Sequence, residues 1–337
     1  MWLTCVLCLL LSAAPVGARE KSSIPRWAHP AVRYLVQNGH IKKKSFHANR
    51  PMRRKAFRRL LRSTFGPGSY NGRRGKVKAG EVSFALVKAL HRRSTARALN
   101  RAKSPGGWRP KTGRWFGSEI VARELGLRHD RPTEEDAFEA SPHEAMRQAD
   151  VAWAVWKAKT EPSTYAADAL AGFRLARYGT TRRKVVGFAM SQVGAPYVWS
   201  GEWPVKTPVG YPYGAQVHGG FDCSGFVWYV LRARARGWRP IDRPYRGWRL
   251  KQRSSSGMAA ATRNKLRYRT LRPADVMFFA PGGRKSKARS VYHAGLYLGR
   301  GWMIHSSGSR AGISLADVSR GTWWRTQFAW GRRVITK

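Results

Sequence analysis

Cys223, in the run Gly219-Gly220-Phe221-Asp222-Cys223-Ser224-Gly225, is the residue of this 337-residue chain best placed to do chemistry. An apolar run from Phe226 to Leu231 follows it, and Asp222 is suited to cap a helix, which puts Cys223 in the first helical turn. Free N–H groups and the positive end of the helix dipole lower a thiol pKa there and stabilise oxyanion charge, and the thiolate is the form that attacks a carbonyl. A core cysteine sits more often on an apolar helix face or in a strand, so this position favours a nucleophile. Such a nucleophile needs a base. His293 opens the strand-like run HAGLYLG, His305 lies in WMIHSS, and Arg300-Gly301 between them makes a tight connection. The two imidazoles then lie on neighbouring strands facing one site. His293 takes the thiol proton and returns it to a leaving amine, while His305 orients the ring. His218, the remaining histidine of this half, lies in a Gly- and Pro-rich loop and reads as exposed without a role.

These residues need elements to hold them. Upstream, KVVGFAMSQVGAPYVWSG over 184–201 reads as a helix with Val185, Phe188, Ala189 and Val193 on its apolar side, stopped by Gly194 and Pro196. Earlier still the chain is helical. Ala31, Val32, Leu35 and Val36 fall at helical spacing before Gly39, and Phe57, Leu60 and Leu61 do so before Gly66. Further helices are expected from Val82, from Phe116 and from Met146, so the N-terminal region hints at internal repetition.

Composition narrows the partners. Lys and Arg supply 64 residues against 18 Asp and Glu, a formal charge of +46, which is not the balance of an ordinary cytosolic enzyme. The charge favours a polyanion, whether nucleic acid, anionic lipid or wall polymer, without choosing among them; a basic solvated surface with no such partner accounts for it equally. With 42% hydrophobic residues the chain can build real cores, and 34 Gly, 18 Pro and 3 Cys exclude collagen-like and disulfide-scaffold classes. The acids gather in the middle, from Glu119 to Asp168, and a junction is expected near Tyr178-Gly179-Thr180-Thr181.

At the N-terminus, the apolar run WLTCVLCLLL is about half of the ~20 residues a membrane span needs and ends in small residues before Arg19. It reads as a secretory signal peptide over 1–18, without the usual basic start. Cys5 and Cys8 leave with it. The exported chain then keeps Cys223 as a lone thiol, with no disulfide partner, no metal cluster and no membrane-spanning segment expected.

Five ordered segments carry a resemblance: Ala195-Pro196-Tyr197-Val198-Trp199-Ser200-Gly201, Phe221-Asp222-Cys223-Ser224-Gly225, Leu271-Arg272-Pro273-Ala274-Asp275-Val276, His293-Ala294-Gly295-Leu296-Tyr297-Leu298-Gly299 and Met303-Ile304-His305-Ser306. Together they resemble the NlpC-type family of papain-like cell-wall cysteine peptidases over roughly 182–335. The resemblance implies an α+β domain with the cysteine helix packed on an antiparallel sheet, Cys223 as nucleophile, His293 as base and His305 as the orienting residue. It places Tyr197 near the thiol, where its hydroxyl aids the oxyanion or its ring simply packs, and puts Asp222 and Ser224 at the substrate cleft. Relatives of this type cut the γ-D-glutamyl to diamino-acid bond of peptidoglycan stem peptides without a cofactor. The family usually has Gly where Ser200 and Ala274 stand, and the loops at 202–218 and 282–290 are long; both are expected to border the cleft.

The N-terminal order W-A-x-x-A-V-x-x-L-V-x-x-G followed by Met52-Arg53-Arg54-Lys55-Ala56, and more weakly Met146 to Asp150, is similar to S-layer homology modules, which hold secreted proteins to anionic wall polymers. The expected organisation is a signal peptide at 1–18, a helical wall-targeting region at 19–178 and a peptidase domain at 179–337, acting on peptidoglycan outside the cell. Two alternatives are an idle papain-like domain in a polyanion-binding protein, with RPYRGWRLKQR ending at Arg253 suited to nucleic acid, and a related amidase or acyltransferase. Export together with an intact Cys, His, His set argues against nucleic acid.

Overall fold

The computed structural model describes residues 24–160, 162, 164–207, 215–232 and 250–335. The expected signal peptide, with Cys5 and Cys8, and most of the basic run before Arg253 lie outside the described residues. The N-terminal half is helical: α1 His29–Gln37, α2 Arg54–Phe65, α3 Ala79–Ala89, α4 Arg93–Asn100, α5 Phe116–Glu124, α6 Gln148–Thr160 and α7 Thr164–Ala169. Ala31, Val32 and Leu35 of α1 and Phe57, Leu60 and Leu61 of α2 are buried, as their spacing requires. Gly66 ends α2 at a φ of +86°, a conformation that favours glycine.

Repetition in this half is three-fold. Just before α2, α3 and α6, three short segments close a ring of backbone hydrogen bonds: Met52 N–H donates to Met146 O (2.9 Å), Met146 N–H to Val77 O (2.9 Å) and Val77 N–H to Met52 O (2.8 Å). The middle member, Val77-Lys78-Ala79-Gly80-Glu81, escapes a sequence reading because Ala79 stands where the first repeat has Arg54. Yet Glu81 keeps the acid, and it accepts from Lys78 N–H at 2.9 Å and from the Arg54 guanidinium at 3.0 Å.

The C-terminal half comprises α8 Thr180–Ser191, β1 Glu202–Trp203, β2 Gly220–Phe221, α9 Cys223–Arg232, α10 Ser255–Ala260, β3 Val276–Phe279, β4 His293–Gly299, β5 Trp302–Ser307, β6 Gly312–Asp317, α11 Trp323–Gln327 and β7 Phe328–Arg332. Five strands form an antiparallel sheet in the order β6-β5-β4-β3-β7, and β1 pairs antiparallel with β2. Helix α9 packs on β4 and β5, the α+β arrangement expected. The sheet is buried on both faces: Val276, Phe278, Ala294, Leu296 and Ile304 belong to the main core, and Met277, Phe279, Tyr297, Met303 and Phe328 to a second cluster. The β4–β5 hairpin turns at Arg300 and Gly301, with φ of +53° and +83°, the paired positive values of a tight hairpin.

One apolar core runs through both halves. The fully buried Arg123 of α5 donates to the carbonyls of Gly194, Arg310 and Ala311, and Glu124 accepts from Ser314 Oγ (2.6 Å) and pairs with Arg310 (2.8 Å). Several of the clustered acids of the middle segment are thus interior partners: Glu119 lies 3.4 Å from Arg123, and Asp150 2.8 Å from Arg131. Among the described residues no helix is long and apolar enough to cross a membrane.

Candidate active site

Cys223 opens α9, and Asp222 caps it, accepting from Gly225 N–H at 2.6 Å. The half-buried thiol lies 3.9 Å from Tyr292 O, and the N–H groups of Ala294 and Ser224 point at its sulfur. Its contacts therefore bracket His293 along the chain. His293 Nε2 lies 2.8 Å from His305 Nδ1, so His293 Nδ1 is the ring nitrogen left for the thiol. Gly295 permits this pairing, because a Cβ there would sit 3.2 Å from His305 Cβ and 3.1 Å from Met303 Sδ.

The electrostatics correct one expectation. Burial, reinforced by the Asp222 carboxylate, pushes the thiol pKa up to about 12, outweighing the Ala294 N–H of β4, the Ser224 N–H at the helix start and Arg253, which pull it down. Burial likewise holds His293 down at about 3, and His305 well below its ordinary value, with the neighbouring His293 and Arg310 adding to it. Both shifts run in the direction that favours the uncharged thiol and the uncharged imidazole. With Nδ1 of His293 accepting, its Nε2–H donates to His305, and His305 carries its proton on Nε2.

Trp324, at the start of α11, closes this pair from one side. Its ring centroid is 4.8 Å from that of His293 and 5.0 Å from that of His305, perpendicular to the latter. His305 Nε2 has no hydrogen-bond partner among the described residues, and the indole beside it keeps the site apolar. Nothing in the sequence around Trp323-Trp324 points to this role.

Arg253 is the other residue that sequence reading misplaced. Rather than presenting charge to nucleic acid, it is only 6% exposed and ties the site together. It donates to both carboxylate oxygens of Asp222 (3.1 and 3.0 Å), to Glu202 Oε2 (2.8 Å), to Ser224 Oγ (2.9 Å) and to the carbonyls of Ser200 and Gly201. The side chains of Asp222 and Ser224 are thus engaged by Arg253 and hold the start of α9. The group this pair turns toward the thiol is the Ser224 N–H. Gly225 must be glycine, since a Cβ would meet Gly201 O at 2.0 Å.

Tyr197 is half-buried, and burial first, then the neighbouring Cys223, Asp222, Asp130 and Asp136, push the pKa of its phenol up. It lines a cavity of about 480 Å³ with Trp199 and Gly308 from the C-terminal half and His129 to Thr133 and Asp136 from the helical half. His218 is not idle: it pairs with Glu144 at 3.2 Å, which raises its pKa against burial. In the long 202–218 loop, Gln216 accepts from Glu202 and Trp203 N–H and donates to three carbonyls, fixing the strand that leads into Cys223. The other long loop, 282–290, lines a different cavity with α11.

The site thus sets a cysteine at a helix start against a histidine pair on an antiparallel sheet. Residues 194–332 match the NlpC/P60 family, and this part of the chain is an NlpC/P60 domain. Over 129 residues it is 33% identical to the probable endopeptidase Rv2190c of Mycobacterium tuberculosis (strain ATCC 25618 / H37Rv), a match covering 38% of this chain and 24% of that protein. The murein DD-endopeptidase MepH of Escherichia coli (strain K12) is 26% identical over 147 residues, 44% of each protein. The chain therefore spans about a quarter of the mycobacterial relative's length. Among solved structures, RipD from Mycobacterium tuberculosis, described as a non-catalytic NlpC/p60 domain protein, aligns at 24% identity and a TM-score of 0.33 over 47% of this chain and 100% of that one. The family match leaves out the helical half.

Proposed function

We infer that the chain is a cell-wall hydrolase that cuts peptidoglycan stem peptides at the γ-D-glutamyl to diamino-acid bond. The observation that carries this reading is the His293–His305 hydrogen bond beside a thiol whose contacts bracket His293. Cys223 Sγ attacks the γ-carbonyl carbon while its proton passes to His293 Nδ1. Charge on the carbonyl oxygen develops near the start of α9 and the Tyr197 hydroxyl. The C–N bond breaks, His293 returns the proton to the leaving amine, and water then resolves the thioester. His305 fixes the ring throughout, and no cofactor is called for. The endopeptidase names of the relatives support the same substrate class.

Export and attachment to anionic wall polymers complete the proposal, supported by the leader-like start, the charge of +46 and the three-fold helical half. If attachment of the purified chain to isolated wall is the same at low and high salt, charge is not its main attraction.

The deciding experiment incubates residues 19–337 with L-alanyl-γ-D-glutamyl-meso-diaminopimelate and follows products by mass spectrometry, beside Cys223→Ala. Release of L-alanyl-D-glutamate by the parent alone is expected. No product from a folded parent overturns the reading in favour of an idle domain, and transfer to an added amine in place of water favours an acyltransferase.

A further inference from the structure

The 282–290 loop forms, with α11 and the turn before β3, a cavity of about 620 Å³ whose lining excludes Cys223, His293 and His305. Five cationic side chains line it, Arg267, Arg269, Arg284, Lys285 and Arg325, with no carboxylate among the lining residues. The shape is built, not incidental to a basic surface. Buried Gly283 takes a φ of +51°, and a Cβ there would meet Thr326 O at 2.7 Å, so the loop is pressed onto α11. The Arg325 guanidinium lies 3.5 Å from the centroid of the Tyr268 ring and is held by stacking rather than by an acid. Asp317, whose charge acts on Tyr268, accepts from Ser319 N–H.

We propose that this cavity is a second binding site, which takes the phosphodiester groups of an anionic polymer. Guanidinium forks match phosphate oxygens in pairs, and five cations around one space suit a chain of repeated anions better than a single carboxylate. The polymer it fits has no bases. Of the aromatic rings lining the cavity, Tyr268 is covered by Arg325 and Phe328 is buried, so no open ring is left for base stacking. A wall-linked poly(glycerol phosphate) type of polymer has that chemistry, and holding it here seats the peptidase domain itself on the wall. The site does not depend on the thiol chemistry, and its test runs in a Cys223→Ala background.

Binding of fluorescent poly(glycerol phosphate) is compared for the parent, for Arg269→Ala with Lys285→Ala, for Arg325→Ala, and for Arg263→Ala with Arg320→Ala. The last pair is exposed on the C-terminal half, outside the cavity lining, and removes the same net charge as the first. Each cavity variant is expected to bind about ten-fold more weakly at fixed salt, against less than about two-fold for the surface pair. Inorganic phosphate should compete in the parent and lose that effect in the cavity variants. Equal losses in the cavity pair and the surface pair would overturn the proposal in favour of diffuse charge. Tighter binding of single-stranded DNA than of the polymer, lost in the cavity variants, would overturn it in favour of nucleic acid.

Discussion

His293 Nε2 and His305 Nδ1 meet at 2.8 Å across adjacent strands whose register pairs Leu296 with Ile304. The bond leaves only Nδ1 of His293 to serve Cys223. Replacing His305 by alanine frees the ring to rotate and should lower kcat by about a hundred-fold with little change in KM, whereas Cys223→Ala removes turnover. Steady-state kinetics on the tripeptide check this; a His305→Ala enzyme with parental kcat would refute the orienting role.

Trp324 is expected to set the acid limb of the rate profile. Opening its side of the pair by Trp324→Leu admits water, and His293, now held at about 3 by burial, moves toward its ordinary 6.5. The acid limb of kcat/KM should therefore shift to higher pH, while Trp324→Phe shifts it less. A profile unchanged in both variants would show that the indole is only packing.

Arg253→Met should cost about 3–5 kcal/mol of stability, because it leaves Asp222 and Glu202 charged without their partner in a buried site. Urea denaturation followed by tryptophan fluorescence measures the loss. A small loss, below about 1 kcal/mol, would mean that the network contributes little net energy.

Ser200 and Ala274 stand at φ of +57° and +68°, left-handed conformations that favour glycine. Ser200→Gly and Ala274→Gly should each stabilise the chain by about 1 kcal/mol, the relief of left-handed strain less the added freedom of the unfolded glycine. Thermal unfolding of the single and double variants tests this, and a lowered Tm in both would contradict it.

Asp130 titrates at about 8, raised by burial and by Glu139 and Asp136. Because the folded value lies above the unfolded one, its contribution to stability is full below about pH 4 and is lost as pH rises through 8. Asp130→Asn should flatten the fall in stability between those limits, as read by denaturation across pH. An unchanged slope would assign the fall to other groups.

Much of the site was legible because its determinants are local. Asp222 before Cys223 announces a capped helix, and Arg300-Gly301 between two alternating runs announces the hairpin that brings the histidines together. Arg253 and Trp324 were not legible: one looks like another residue of a basic run, the other like one more aromatic, and only the packing of distant segments gives them roles. The thiol's raised pKa escaped for the same reason, since a helix start is visible in sequence and the depth at which it is buried is not. The middle repeat at Val77 was hidden because the ring that relates it to Met52 and Met146 is made by backbone groups, which carry no residue signature.

Arg123 inserts into the NlpC/P60 domain and satisfies the carbonyls of Gly194, Arg310 and Ala311, all within or beside elements of the sheet and its entry loop. The two halves are consequently not interchangeable parts. A different helical partner joined to this domain would have to bring a cation to the same depth, or leave those carbonyls buried without a donor.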